Sequence, residues 1–386
     1  MLTANLDDQS DSSKIQKEFQ NVGKLLAVHG TPEEDHSIFR SRRKLGTCEH
    51  ILSNSEFITW QTQSAASKIL WIHAGPGHGK SVLCSYLIDY LVKAGKICTY
   101  FYFRFGNASK RSPSAMLRSI AFQIARWLAP FRTALSNMQT DGMKLEKAEP
   151  KTIWLKLFHS LLFQQQFSQP LYWVMDALDE SEDISTTLEL ISSISTSKLP
   201  IHVLVVSRYT PPISTAFERM NTSMSVLSIC ADSNIDDIRL YAISELEFFH
   251  GSEDVKRQIV EQIVSRSQGN FLWAHLVLRE VMQCHSTEDV EEALQEIPDG
   301  MESMYNRMEA AITRLKKPSQ KKLAKSILIW ATYSRRPLTT EELSTALKSD
   351  SPAIFDIRYT INQVCGHFLV VNSDDSVTLI HQTARD

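Results

Sequence analysis

A parallel α/β sheet flanked by helices, running on into an all-helical region and then a winged helix, is the fold this sequence predicts. Three observations predict it. Between residues 68 and 230 short apolar runs alternate with longer amphipathic segments. Beyond residue 230 the strand signal gives way to helical periodicity, and residues 367–380 read as a β-hairpin.

The elements follow in chain order. Residues 1–45 are polar, with a helix expected near Ser13–Leu26 and then the charged stretch IFRSRRK. The start, MLTANLDDQSDSSK, is polar and acidic and lacks the apolar stretch of a signal peptide. The strand candidates are KILWIHA (68–74), ICTYFYF (97–103), LYWVMD (171–176), HVLVVS (202–207) and the weaker MSVLSI (224–229). Their apolarity is continuous rather than alternating, as expected of parallel strands covered on both faces. Between the strands, Val82, Leu83, Tyr86, Leu87, Tyr90 and Leu91 recur at helical spacing, as do Leu117, Ile120, Ile124 and Leu128. Helices are then expected at Asp236–Phe249, Asp254–Arg266, Phe271–Gln283, Met301–Leu315 and Gln320–Tyr333. A short one follows Thr339, whose spacing to Glu342 is that of a capping box. HFLVV (367–371), the polar turn NSDDS and VTLI (377–380) form the hairpin.

Composition narrows the function classes. At 386 residues the chain exceeds what one core usually supports, so two or three domains are expected. With 41 basic and 44 acidic residues the net charge is −3, which is not the balance of a strongly basic nucleic-acid binder. Direct nucleic-acid binding is therefore not expected. The six cysteines are scattered with no C-x-x-C pair, which suits free thiols in a reducing compartment, and a cytoplasmic location is expected. No apolar run approaches the ~20 residues that span a bilayer.

The chemistry concentrates in three places. Ala74-Gly75-Pro76-Gly77-His78-Gly79-Lys80-Ser81, followed by Val82, fits a phosphate-binding P-loop with Ala in the first glycine position. Glycines let successive N–H groups converge on phosphate oxygens, and the following helix N-terminus adds partial positive charge. Lys80 is expected to reach the β- and γ-phosphates, and Ser81 to ligate Mg²⁺. Second, LYWVMD ends on Asp176, followed by Ala177, Leu178, Asp179 and Glu180. A carboxylate ending an apolar strand suits a Walker B metal ligand, so Asp176 joins Ser81 at Mg²⁺. Asp179 and Glu180 supply a second acidic position that can orient or deprotonate a water. Third, HVLVVSR puts Arg208 at a strand end, where it can sense a γ-phosphate. The catalytic set is thus Lys80, Asp176, Asp179, Glu180 and Arg208. No Asn-Lys-x-Asp segment occurs, so the guanine-reading element of small GTPases is missing. ATP/ADP is expected, with GTP still open.

Taken together, Trp71–Ser81, the Asp176-Ala-Leu-Asp-Glu180 block and Val206-Ser-Arg208 resemble the NACHT domain of STAND-class NTPases, the fungal NOD-like receptors in particular. The flanking segments agree: Gly46–Glu49 with Phe57 and Trp60, Gly269–Ala274, Ile297–Met301 with Tyr305, Arg336–Thr339 with Glu342 and Leu343, and Ile380–Asp386. The resemblance covers residues 39–386 and implies an AAA+-like P-loop NTPase. It implies a switch that exchanges ADP for ATP, hydrolyses it slowly and self-associates on activation. The expected domains are an N-terminal segment (1–38), a NACHT domain (39–230), a helical lid (231–318) and a winged helix (319–386) that is C-terminally truncated. His381 matches a winged-helix His that contacts the ADP phosphate in apoptotic and plant relatives, while Gln382 replaces their Asp. Phe271 stands where those relatives place the Pro of a Gly-x-Pro that packs on adenine. It either stacks on the base or belongs to the helix core. Segment Arg43–Cys48 either wraps the base or is a solvated linker. The family's C-terminal repeats and effector partners are expected to be absent from this chain, as in a fragment or truncated product. Two other readings remain: a nucleotide-stabilised interaction scaffold without turnover, and a small-molecule P-loop kinase, for which the long helical region has no obvious use.

Overall fold

The computed structural model describes residues 2–386 apart from 29–31, 63–67, 106, 196–198, 220–223, 230–231, 349–353, 373–374, 382–383 and 385–386. Cys230 and Gln382 lie outside the described residues. The chain forms two compact units. The first comprises Met1–Arg43, Cys48–Ala74 and Lys80–Ser228; the second comprises Lys44–Thr47, Gly75–Gly79 and Ile229–Asp386.

The first unit is built on a five-stranded parallel sheet. Its strands are β1 (Lys68–His73), β2 (Ile97–Tyr102), β3 (Leu171–Asp176), β4 (Ile201–Ser207) and β5 (Met224–Ser228), in the spatial order β2-β3-β4-β1-β5. Every residue of β3 and β4 is buried. That is why their sequences are apolar without alternation, since helices cover both faces of a parallel sheet. Register is continuous, with His73 opposite Ser207 and Tyr102 opposite Asp176. All the strand ends that carry the motif residues therefore lie along one edge of the sheet, outside the carboxyl ends, where α/β folds place ligands.

Helix Pro113–Trp127 shows how local chemistry sets this architecture. Ser112 caps it by accepting from Ala115 N, and Pro113 occupies the first turn, where a missing N–H costs nothing. Met116, Leu117, Ile120, Ile124 and Ala125 make its buried face. Gln123 is also buried, because β2 is an edge strand. Its amide accepts from Tyr100 N at 3.0 Å and donates to Tyr100 O at 2.8 Å. One side chain thus closes part of an open sheet edge. Helix Leu2–Leu26 is anchored by the buried pair Glu18–Arg132 at 2.9 Å. Helix Pro32–Arg42, expected only as a charged stretch, is held through Asp35 by Arg104 and Lys110, each at 2.6 Å.

The second unit carries two apolar clusters. One gathers Ile238, Ile259, Ile263, Trp273, Val277, Leu294 and Met304; the other gathers Ala324, Ile327, Leu343, Ile361, Leu369 and Val377. The expected helices form as Ile235–Glu245, Glu253–Arg266, Phe271–Val281, Met301–Thr313 and Pro318–Tyr333. The first ends four residues sooner than expected, its tail tightening into a 3-10 turn at Leu246–Phe248. The Thr339–Glu342 capping box forms in both directions. Strands β6 (Leu338–Thr339), β7 (Leu369–Val371) and β8 (Ser376–Leu379) make an antiparallel sheet in the order β6-β8-β7. Among the helices that escape the periodicity reading are Ser55–Thr62, Ile184–Ser195, Pro211–Arg219, Ala129–Thr140, Thr287–Glu296 and Ile357–Val364. The last two bury two residues each and are capped at Ser286 and Asp356. No helix among the described residues is long and apolar enough to cross a membrane.

Replacing Gln123 by Leu is expected to leave the Tyr100 N–H and C=O buried and unpaired. The cost should be about 2–3 kcal/mol of stability, read as a lower urea midpoint at an unchanged slope.

Candidate functional site

In the first unit, β1 ends at His73 and helix Lys80–Lys93 begins seven residues later. Lys80 Nζ donates to Ala74 O at 3.1 Å, which bends the side chain back toward the end of β1. Burial lowers the Lys80 ammonium below its usual range, and the Asp179 and Asp176 carboxylates oppose that. Val82 lies in the first turn of the same helix, where its carbonyl accepts from Ser85 Oγ at 2.7 Å.

Asp176 is 2% exposed at the end of β3. Burial pushes its carboxyl up to about 6, opposed by a hydrogen bond from Ser81 and by the charge of Lys80. Its Oδ1 is buried with no hydrogen-bond partner in the structure. An ionised oxygen held dry beside a hydroxyl and an ammonium fits a Mg²⁺ ligand, because the cation would supply the missing counter-charge. Among the described residues no group of three or more His, Cys, Asp or Glu makes a metal site by itself. Magnesium bound through one carboxylate, one hydroxyl and substrate phosphates does not need one.

The chain leaves β3 through Ala177, which adopts a left-handed conformation at φ 55° and ψ 45°. That turn starts the 3-10 segment Leu178–Glu180 and sends the next two carboxylates in different directions. Asp179 Oδ1 accepts from Arg208 N at 3.0 Å, and Oδ2 pairs with Arg208 Nε at 3.4 Å. Arg208, at the end of β4, is thereby tied through backbone and guanidinium together. Glu180 Oε2 accepts from Phe105 N at 2.7 Å. Burial pushes the Glu180 carboxyl up to about 7, helped by Asp179 and Asp176 and opposed by that amide. A carboxylate balanced near neutrality is suited to accept a proton from water.

The loop Gly75–Gly79 belongs with the second unit. Gly77 and Gly79 have φ of 74° and 76°, the region that favours glycine. A Cβ on Gly77 would lie 2.4 Å from Asn270 Oδ1, and one on Gly79 3.3 Å from the Phe271 ring. Both positions are therefore cradles that a side chain would fill. His78 Nδ1 hydrogen-bonds Pro76 O at 2.9 Å. Phe271 opens helix Phe271–Val281, with its ring half-buried against the helical cluster and edge-on to Tyr241 at 5.9 Å. His381 follows β8 and accepts from Ala384 N at 3.0 Å.

Three contributors have no place in the motifs. Phe105 acts through its backbone, which no side-chain pattern reveals. Asn270 was legible as an N-cap, since it precedes an apolar helical run and accepts from Trp273 N at 3.0 Å. Asn234, 3% exposed, carries no comparable signal.

The chain matches two described families: Nephrocystin 3, N-terminal, over residues 46–208, and the winged helix domain of GPI inositol-deacylase over residues 305–386. It is 26% identical, over 87% of its length, to the vegetative incompatibility protein HET-E-1 of Podospora anserina. It spans 25% of the length of that relative. Among solved structures it is similar to the Aeropyrum pernix ORC1 protein in complex with DNA (13% identity, TM-score 0.41, 89% of this chain and 91% of that one). It is also similar to the Walker-type ATPase paby2304 of Pyrococcus abyssi (10% identity, TM-score 0.37, 83% and 89%).

Because the Glu180 carboxyl is raised in the fold, its stabilising contribution is fully present below the ordinary value of 4.5 and is lost as pH rises through about 7. Glu180→Gln removes that loss. The ligand-free variant is expected to melt above the parent at pH 8, by on the order of 3 kcal/mol, with the gain vanishing near pH 4.5. Paired thermal melts across that range check it.

Proposed function

We propose that this chain, a P-loop NTPase of the NACHT type related to the fungal NOD-like receptors, is the nucleotide switch of a signalling protein: it binds ATP or ADP with Mg²⁺ and hydrolyses the triphosphate slowly. The observation that carries the reading is Asp176, a buried carboxylate bonded to Ser81, beside Lys80, with one oxygen left without a partner. Such a group is costly in a fold unless a ligand completes it.

The roles follow from the residues. The backbone of Gly75–Gly79 would cradle the phosphates, and Lys80 would exchange its bond to Ala74 O for phosphate oxygens. Ser81 and Asp176 would hold Mg²⁺, which when bound neutralises charge on the β- and γ-phosphates. Glu180, held at one oxygen by Phe105 N, would take the proton of the attacking water. Arg208, fixed by Asp179, would face the γ-phosphate. Phe271 and His381 are proposed nucleotide contacts from the helical and winged-helix segments, 231–318 and 319–386. A cytoplasmic location and self-association on activation belong to the same proposal. So does a role of the kind the Podospora relative is named for, vegetative incompatibility.

A nucleotide kept as a fixed structural ligand is the competing reading. The raised Glu180 carboxyl favours turnover, because a scaffold gains nothing from a base balanced near neutrality.

Lys80→Ala and Asp176→Ala are expected to remove bound nucleotide from the purified protein, which mass spectrometry of the released ligand reads directly. Unchanged nucleotide content in both variants would end the assignment. In the parent, phosphate release should rise with pH to a plateau above a midpoint near 7. Glu180→Gln should abolish that release while leaving ADP affinity within about threefold.

A further inference from the structure

Three consecutive carbonyls of the loop are held by donors from far along the chain. Asn270 Nδ2 donates to Pro76 O at 3.0 Å, Phe271 N to Gly77 O at 2.8 Å, and Asn234 Nδ2 to His78 O at 3.3 Å. None of the donors is adventitious. Asn234 is 3% exposed and also donates to Gly269 O at 2.9 Å, so its amide bridges the loop to the segment before Asn270. Asn270 uses both ends of its amide, since its Oδ1 accepts from Trp273 N at 3.0 Å. Flipping that amide would oppose oxygen to oxygen and nitrogen to nitrogen, so its orientation is determined.

Peptide planarity turns these bonds into a statement about the other side of the loop. In a trans peptide the C=O of one residue and the N–H of the next point in opposite directions. Fixing the carbonyls of Pro76, Gly77 and His78 on one side therefore aims the N–H groups of Gly77, His78 and Gly79 away from it. Successive N–H groups held this way form an anion-binding concavity. The glycines make the approach possible, since a Cβ on Gly77 would overlap Asn270 Oδ1.

We infer that Asn234, Asn270 and the Phe271 N–H are positioning groups for phosphate: they set nucleotide affinity by holding the loop in its anion-binding shape, without touching the ligand. The inference rests on the nucleotide-site reading above. The ligand class is the phosphate chain of a nucleoside di- or triphosphate. It follows that helix Phe271–Val281 and Asn234 cannot shift against the loop without loosening the phosphates.

The test uses the full chain with Mg²⁺, a fluorescent ADP as probe and inorganic pyrophosphate as competitor. Asn270→Ser keeps an oxygen to cap Trp273 N but loses the reach to Pro76 O. It should weaken ADP about 5- to 10-fold. Pyrophosphate should weaken by the same factor, because the base is not involved. A variant damaged in its contacts to the base would weaken ADP alone and would not reproduce that equality. Phe271→Pro sits at the first helical position, where proline is tolerated, and relative to Phe271→Ala it removes the N–H and puts the ring Cδ where the Gly77 carbonyl was held. It should bind about fivefold more weakly than Phe271→Ala. This pair keeps the inference testable should Asn270→Ser fail to fold. Equal affinity of Asn270→Ser and parent, or of Phe271→Pro and Phe271→Ala, overturns the inference while loss of binding in Lys80→Ala leaves the site itself standing. Normal binding in Lys80→Ala overturns both.

Discussion

A carboxylate at the end of a fully buried strand is the constraint on which the first unit turns. Asp176 must end β3 in an environment that strips its water, because the residues before it are apolar on both faces of the sheet. Only a hydroxyl, an ammonium or a cation can then keep it ionised. Ser81 and Lys80 supply the first two from the start of the helix Lys80–Lys93, which follows β1. The stability given up there is recovered from ordinary burial elsewhere, along strands β3 and β4 and the helices that cover them.

The paired acids after β3 illustrate how backbone geometry divides equal chemistry. Asp179 and Glu180 are adjacent and interchangeable on charge alone. The left-handed turn at Ala177 and the short 3-10 segment after it send one carboxylate to Arg208 and the other to the Phe105 amide. Asp179 has both oxygens engaged by one arginine, so it remains an anchor. Glu180 keeps proton affinity near neutrality because burial and the Asp179 and Asp176 charges raise its carboxyl.

A related economy governs the loop in the second unit. Its glycines admit the backbone conformation but do not select it, since glycine is freer than any other residue. Selection comes from hydrogen bonds to three carbonyls, donated by residues about 155 to 195 positions downstream. The motif thus supplies permission, and the helical region supplies the shape.

Read alone, the sequence determined the continuous apolar strands, the helix-rich region beyond residue 230, the capping box at Thr339 and the closing hairpin. These signals are local, written in the periodicity of neighbouring residues. It also placed Asp176 and Arg208 at strand ends, Lys80 and Ser81 at the close of a glycine loop after a strand, and Asp179 and Glu180 just past another, because a strand's end is visible where its apolar run stops. Only the tertiary structure decided the strand order, the opposite fates of Asp179 and Glu180, and the parts taken by Phe105, Asn234 and Asn270. Each of these outcomes depends on which distant groups the fold brings within hydrogen-bond reach. No window of neighbouring residues contains that information, since one amide or carboxylate looks like another until its partner is in place.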